Sequence, residues 1–298
     1  MDEFDLIHRH FVPLAEGFPG SLNLRDDAAL VDIPAGQQLV ITKDAITAGV
    51  HFLGDEDAAL IAKKLLRVNL SDLAAKGAQP LCYFLALMLP ETTSETWVAR
   101  FASGLAEDQK IFSLALAGGD TTATRGPLAL SLTALGTVPT GRMLLRSGAR
   151  AGDALYVSGQ LGDAALSHWR LLPQPRLALG RALLEQNLAH ACMDISDGLV
   201  QDLGHICTAS GVGAAIEAGR VPCKADLETA LTAGDDYELL FSASPDADET
   251  IAALAAELGT PLTRIGAITA EGNVTVRDAS GDPITFKRGG YRHFGQKP

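Results

Sequence analysis

Nine aspartates follow a predicted strand, or open or sit within a predicted helix: Asp26, Asp27, Asp44, Asp72, Asp120, Asp194, Asp197, Asp235 and Asp236. Several flank glycine or other small residues, which let a ligand approach the backbone closely. If even half of these carboxylates converge, their mutual repulsion needs cations. Carboxylate oxygens and Thr hydroxyls, with no His/Cys cluster, point to hard ions. Mg²⁺ shared with substrate phosphates suits the set better than an all-protein Ca²⁺ cage, and no EF-hand loop is present.

Three features are suited to phosphate. Gly118-Gly119-Asp120-Thr121-Thr122 follows a predicted strand and offers backbone N–H groups. Ser196 stands near a predicted helix N-terminus, where the dipole favours anions. Arg142, Arg146 and Arg150 can pair with phosphate oxygens. Each has a plainer reading. Gly-Gly-Asp is a common turn, linker arginines are commonly solvated, Asp194 with Asp197 can be a capping arrangement, and His51 alone can be structural. The chain has no G-x-x-x-x-G-K-[ST], no G-x-G-x-x-G after a strand, no G-x-S-x-G and no H-E-x-x-H. Nucleotide chemistry here must therefore use an acidic, multi-metal design.

The elements that position these residues begin with a helix from about Asp57 to Gly77. Ile61, Leu65 and Val68 fall on one stripe at about 100° per residue. The next residue on that stripe is Asp72, a carboxylate where an aliphatic side chain belongs. A buried carboxylate must be paired, hydrogen-bonded or metal-bound. A structural Asp bonded to backbone or to a buried Lys or Arg is the other reading. Lys63 and Arg67 are expected on a solvated far face. Gly77 is the C-cap, with Pro80 beyond it.

Before this helix the pattern predicts a short helix over 3–12, then strands at Leu30–Ile33 and Gln38–Thr42 around the Pro34-Ala35-Gly36 turn. After it come a buried strand at Leu81–Leu89, a helix over 94–110, a strand at Ile111–Leu116 and a long strand at Leu128–Val138. A Gly/Pro/Arg-rich stretch near 139–152 marks a boundary. Beyond it the pattern gives a strand from Asp153 to Ser158, helices over 161–171 and 175–188, and a helix opened by Met193-Asp194-Ile195-Ser196-Asp197-Gly198 with apolar face Leu199, Leu203, Ile206 and Cys207. Gly234-Asp235-Asp236-Tyr237-Glu238 precedes a strand at Leu239–Ser242. A helix near 246–258 and two strands near 262–277 follow.

The 298 residues carry 36 Asp and Glu against 24 Lys and Arg, a net charge of −12. That argues against nucleic acid or an anionic membrane as partner and suits a protein that recruits cations. With 47% hydrophobic and 20% charged residues, a sizeable core is expected. Cys82, Cys192, Cys207 and Cys223 are widely spaced without a C-x-x-C, which suits a reducing compartment. The acidic start, Met1-Asp2-Glu3-Phe4, is no signal peptide, and the longest apolar run is too short to span a bilayer. A cytoplasmic protein is expected.

The motifs together resemble the thiamine-monophosphate kinases, within the superfamily that includes aminoimidazole ribonucleotide synthetase and selenophosphate synthetase. The resemblance runs in order along nearly the whole chain. It rests on Glu3-Phe4-Asp5-Leu6-Ile7, Asp26-Asp27-Ala28-Ala29, Ala48-Gly49-Val50-His51-Phe52 and Val68-Asn69-Leu70-Ser71-Asp72-Leu73-Ala74-Ala75. It continues through Gly118-Gly119-Asp120-Thr121-Thr122, Arg146-Ser147-Gly148-Ala149, Asp194-Ile195-Ser196-Asp197-Gly198-Leu199 and Gly234-Asp235-Asp236-Tyr237-Glu238-Leu239.

The resemblance implies transfer of the γ-phosphoryl of ATP to thiamine monophosphate, giving thiamine diphosphate and ADP, the last step of thiamine diphosphate biosynthesis. It implies a two-domain aminoimidazole ribonucleotide synthetase-like fold. Residues 1–140 would form an N-terminal α/β domain for metal, nucleotide and dimerisation, its sheet forming a barrel across a homodimer. Residues 141–298 would form a C-terminal α+β domain, with active sites between the domains and near the dimer interface. By motif position, Asp27, Thr42, Asp44, Asp72, Asp120, Asp194 and Asp197 would hold several Mg²⁺ ions. Gly119, Asp120, Arg146 and Ser196 would contact ATP, and His51, Asp235 and Tyr291 the thiamine monophosphate.

Three positions depart from the family pattern. Arg25 replaces the usual Gly, Lys43 replaces Thr or Ser, and Asp235 replaces Glu. A charged Lys cannot ligate Mg²⁺, so Lys43 is expected to replace a cation or contact a phosphate, beside Asp72 and Asp120 as the catalytic set. The runner-up readings are another ATP-dependent enzyme of the superfamily acting on a purine precursor, or a catalytically silent nucleotide-binding homologue.

Overall fold

The computed structural model describes residues 3–168, 170–286 and 290–291. The chain divides into two compact units, Met1–Leu73 with Ala78–Gly141 and Ala74–Gly77 with Arg142–Pro298.

The first unit begins with α1 (Glu3–Leu6), a π-helical turn (Ile7–Phe11) and α2 (Val12–Ala15). Pro13 has no N–H to give the preceding turn, and the widened turn just before it accommodates that loss. A 3₁₀ segment, Pro19–Leu24, follows, with Leu22, Asn23 and Leu24 at positive φ. The strand expected at Leu30–Ile33 does not form. Leu30 donates its N–H to the Gly20 carbonyl, both Leu30 and Ile33 are exposed, and Pro34 has no N–H to continue a ladder.

The regular elements are then β1 (Gln37–Thr47), α3 (Ala58–Ala75), β2 (Gln79–Pro90), α4 (Glu95–Phe112), β3 (Ala115–Thr124) and β4 (Ala129–Pro139). They give a four-stranded sheet in the order β1-β4-β2-β3, antiparallel except for the parallel pair β2 and β3. The α4 crossover permits that parallel pair. One face of the sheet carries buried Tyr83, Leu85, Leu87, Leu130 and Leu132 and is joined to α3 and α4, as when Gln109 bonds the Tyr83 hydroxyl at 3.0 Å. The helices themselves cross closely. A Cβ at Gly104 would lie 2.4 Å from the Ala59 carbonyl oxygen.

No face of α3 is solvated as the periodicity suggested. Every residue except Leu60, Lys63 and Asp72 is buried. Arg67 is 7% exposed because α4 supplies its counter-ion. Its guanidinium grips the fully buried Asp108 through bonds of 2.7 and 2.9 Å. The Gly118-Gly119-Asp120 run also lies inside β3 instead of after a strand, because Ile111 and Phe112 end α4.

The second unit holds β5 (Ala154–Ser158), α5 (Asp163–Leu166), α6 (Leu177–Glu185), β6 (Ala189–Asp194), α7 (Leu199–Ser210), β7 (Gly213–Glu217), α8 (Leu227–Thr232), β8 (Leu239–Ala243), α9 (Asp248–Leu258), β9 (Leu262–Thr269), β10 (Val274–Arg277) and β11 (Pro283–Ile284). Its seven-stranded sheet runs β11-β10-β7-β9-β5-β8-β6. The expected helix over 161–171 is only the single turn of α5; Trp169 lies outside the described residues. Strands β6 and β7 carry too much Ala, Gly, His and Cys to announce themselves as strands. The predicted apolar face of α7 is confirmed. Leu199, Leu203, Ile206 and Cys207 are all buried in one core with Met193, Leu155 and Ile216.

Candidate functional site

Two groups of the predicted residues form in the first unit. The first lies at the edge strand β3. A cavity of about 590 Å³ is lined by Asp26, Asp27, Gly118, Gly119, Asp120 and Thr121, with apolar walls from Phe4 and Phe11 of the N-terminal helical segment. Asp26, Asp27, Gly119 and Asp120 are exposed. The Asp26 carboxylate accepts the Asp27 N–H at 2.8 Å, which shapes the turn that carries both acids. Gly119 has a packing reason as well as a place on the cavity. A Cβ there would meet the Leu85 carbonyl oxygen at 2.0 Å, closer than any side chain tolerates.

The second group lies at the opposite edge, on β1. The Thr42 hydroxyl donates to the Asp72 carboxylate, so the acid on the α3 stripe is claimed by a strand hydroxyl. Asp44 faces the same side as Thr42, two residues along. Its N–H donates to Asn69 Oδ1 at 3.1 Å, and its carbonyl accepts the Ser131 hydroxyl at 3.0 Å. Asn69 is fully buried and also bonds the Leu65 carbonyl at 2.9 Å, so it fixes α3 against β1. It stands in the Val68-Asn69-Leu70-Ser71-Asp72 run, where no separate role is assigned to it.

These two groups are not one cluster within the sheet. Asp44, Leu132, Leu85 and Gly119 form one cross-strand row, so Asp44 and Gly119 stand three strand spacings apart, about 14 Å along the sheet. Lys43 belongs to the next row, with Thr133, Phe84 and Gly118, on the other face. Its Nζ lies 3.5 Å from Thr133 Oγ1. Strand alternation therefore turns Lys43 away from Thr42, Asp44 and Asp72, and the expectation that it replaces a cation beside them does not follow from this geometry.

His51 sits in the turn after β1. Its Nδ1 accepts the Thr47 N–H at 3.1 Å, and the buried Lys64 ammonium holds its carbonyl at 2.9 Å. With Nδ1 an acceptor, a neutral ring carries its proton on Nε2.

In the second unit the predicted residues converge more tightly. Strand β6 ends at the buried Asp194, and the loop Ile195-Ser196-Asp197-Gly198 leads into α7. Two further segments hang from this loop. Asp235 and Tyr237 donate their N–H groups to the carbonyls of Ser196 and Ile195, each at 2.8 Å, and Tyr291 donates to the Asp197 carbonyl at 2.9 Å. Asp235 and Tyr237 both sit at left-handed φ, +65° and +53°. That conformation is uncommon for residues other than glycine. Gly234 permits the approach, since a Cβ there would lie 2.4 Å from the Ser196 carbonyl oxygen. Gln201 bridges the same parts, donating to Asp197 Oδ2 and to the Tyr291 carbonyl at 2.9 Å each.

Asp202, on the first turn of α7, is the residue that the sequence did not single out. It is 1% exposed, and its Oδ2 accepts the N–H groups of Ser196, Asp197 and Gly198 at 3.0, 3.0 and 3.1 Å. Burial pushes its carboxyl up to about 7, against the pull of those N–H groups. Asp197, Asp202 and His205 also present ligand atoms within 4.8 Å of one another. Arg146 is exposed beside edge strand β6, whose Cys192 N–H is bonded to the Leu145 carbonyl at 2.8 Å. Arg142 is committed elsewhere. It caps α6 through the Leu184 carbonyl and Asn187 Oδ1, each at 2.8 Å.

The donor set is carboxylate oxygen and hydroxyl, which fits a hard divalent cation. It contains no side chain placed as a strong general base. Such a set can neutralise and align phosphates.

Two family models match the chain, AIR synthase related protein N-terminal domain over residues 25–138 and C-terminal domain over 133–279. The chain is 40% identical to the thiamine-monophosphate kinase of Escherichia coli K12, with 98% of each aligned. Among solved structures it is similar to thiamine-monophosphate kinase from Stenotrophomonas maltophilia, with TM-score 0.80, 39% identity, and 90% of this chain and 96% of that one covered. A structure described as AaThiL complexed with AMPPCP and TMP matches with TM-score 0.77 at 29% identity, covering 90% and 91%.

Proposed function

Because this chain belongs to the thiamine-monophosphate kinase family, within the group related to aminoimidazole ribonucleotide synthetase, we propose that it catalyses the last step of thiamine diphosphate biosynthesis. A phosphate oxygen of thiamine monophosphate attacks the γ-phosphorus of ATP. The bond from that phosphorus to the β-phosphate bridging oxygen breaks, and ADP leaves with the electron pair. The acceptor is already an anion at neutral pH, so no proton need be removed by a strong base. The obstacle is to bring two polyanions together in line.

The observation that carries the reading is the loop 194–198 with its two attached segments. Ser196 and Asp197, assigned to nucleotide and metal, are in backbone contact there with Asp235 and Tyr291, assigned to the acceptor. Asp27, Thr42, Asp44, Asp72, Asp120, Asp194 and Asp197 would hold Mg²⁺. Gly119, Asp120, Arg146 and Ser196 would contact ATP, and His51, through Nε2–H, would join the acceptor contacts. Mg²⁺, when bound, neutralises phosphate charge and polarises the transferring group. The protein's own part is to hold the phosphates in register and exclude competing orientations.

In this assignment the N-terminal domain, residues 1–140, carries metal, nucleotide and dimer contacts, and the C-terminal domain, residues 141–298, carries further metal and substrate contacts. Support for a homodimer with a barrel closed between subunits comes from the sheet face opposite α3 and α4. It exposes Ile41 at 60% and leaves Phe84, Ala86 and Met88 only half-buried. A cytoplasmic setting fits four free cysteines, three of them buried, and among the described residues no helix is long and apolar enough to cross a membrane.

The test is incubation of the purified protein with Mg²⁺, ATP and thiamine monophosphate, with thiamine diphosphate read by chromatography. Product that requires both ATP and Mg²⁺ is expected. ATP binding without product would identify a silent homologue, and turnover only with a purine precursor would identify the other branch.

A further inference from the structure

We infer that Asp202 is a positioning residue that orders the contacts to both substrates through one carboxylate oxygen. The inference rests on the assignment above of Ser196 and Asp197 to nucleotide and metal, and of Asp235 and Tyr291 to the acceptor.

Three successive N–H groups turned to one point make a concavity that usually receives an anion such as phosphate. Here the protein fills it with its own side chain. Oδ2 of Asp202 takes the N–H groups of Ser196, Asp197 and Gly198. Those amides are therefore not available to a nucleotide, and Ser196 would meet ATP through its exposed hydroxyl instead.

The same peptide segment is used on its other side. The carbonyls of Ser196 and Asp197 accept the N–H groups of Asp235 and Tyr291. Asp202 thus fixes a strip of backbone whose N–H edge it holds and whose C=O edge holds the acceptor-side residues. In its ionised form this carboxyl makes charge-assisted bonds, stronger than those of a neutral acceptor. The left-handed φ of Asp235 is maintained by its bond to Ser196, so a looser strip would also release that strain. The side chain itself is 1% exposed, one turn into the helix, and would touch neither substrate.

The test is Asp202→Asn, which keeps an acceptor oxygen and loses the charge. KM for Mg-ATP and KM for thiamine monophosphate are expected to rise together, each by about ten-fold, with kcat changed less. Amide hydrogen exchange, measured without substrates, should speed up together at 196–198, 235 and 291. A rise in one KM only, or normal exchange at these amides, would overturn the inference. The exchange readout stands even if thiamine monophosphate proves not to be the acceptor, since that failure would appear in the wild type. Asp202→Glu keeps the charge but displaces the oxygens by a methylene. It is expected to show the same paired change, and it carries the test if the Asn variant does not fold.

Discussion

The hydroxyl of Thr42 on β1 donates a hydrogen bond to the carboxylate of Asp72 on α3. This one bond explains how a carboxylate is tolerated on an otherwise aliphatic stripe. Asp72 is half-buried, not sealed, and shares a face with Asp44. A strand hydroxyl, a strand carboxylate and a helix carboxylate are thereby gathered at one edge of the sheet, a set of oxygen donors of the type proposed above for Mg²⁺.

Asp72→Asn and Asp120→Asn should therefore fold and lose most turnover. The first change leaves an amide oxygen to accept from the Thr42 hydroxyl, and Asp120 is exposed, so neither change opens a cavity. A lost metal contact costs on the order of 3 kcal/mol in the barrier, roughly 100-fold in rate. Steady-state rates with thermal melting distinguish this from unfolding. Near-normal rates in both variants would remove the metal assignment of both edges.

Lys43→Thr restores the commoner family residue at a position whose side chain points to the other face of β1. The Mg²⁺ concentration for half-maximal rate should stay within about two-fold of wild type, because the sheet separates Lys43 from Thr42, Asp44 and Asp72, and three strand spacings, about 14 Å, separate β1 from the strand of Asp120. A clear rise in Mg²⁺ requirement would show that Lys43 does replace a cation.

Much of this was legible from residue types and spacing. The 3.6-residue recurrence of Leu199, Leu203 and Ile206 gave α7, and the aliphatic stripe of α3 gave the odd placement of Asp72. Arg67 reads as a solvated residue in the sequence because its partner, Asp108, lies 41 residues away on another helix, and local periodicity carries no such information. Leu30–Ile33 has strand-forming residues but no neighbouring ladder to join. Asp202 is inconspicuous in the sequence for a different reason. One more Asp on a helix face says nothing until the loop before it folds back and turns three N–H groups onto it. The separation of Asp44 from Asp120 likewise depends on strand order, which the motifs do not encode.

The contribution of Asp236 to stability should fall as pH rises from about 4 to about 7. Burial pushes the Asp236 carboxyl up to about 7 from the ordinary 3.8. In that window the folded protein holds a proton there that the unfolded chain has released, so through this group raising the pH favours unfolding. Asp236 accepts the Gly162 N–H at 3.0 Å with either oxygen and lies outside the assigned metal set. Asp236→Asn cannot ionise and keeps an oxygen for Gly162, so it should flatten the slope. Melting temperatures across pH 4 to 8, taken with chelator present, give the comparison. Equal slopes in the two proteins would mean that Asp236 does not titrate in this window.

Ile41→Arg tests the dimer. Ile41 is 60% exposed on the face away from the helices, in a cross-strand pair with Leu135, and Phe84 stands in the neighbouring row with Lys43. A charge there costs the isolated subunit little, since most of the side chain already meets solvent. In a barrel closed between two subunits the same charge would be trapped against apolar side chains without a counter-ion, at a cost of several kcal/mol. The variant should melt like wild type at low protein concentration yet sediment as a monomer where wild type sediments as a dimer. Its turnover should fall with the dimer fraction and recover in part at high protein concentration, because residues near the interface belong to the assigned site. A wild type that is monomeric at all concentrations while fully active would rule out the barrel and leave each chain to complete its own site.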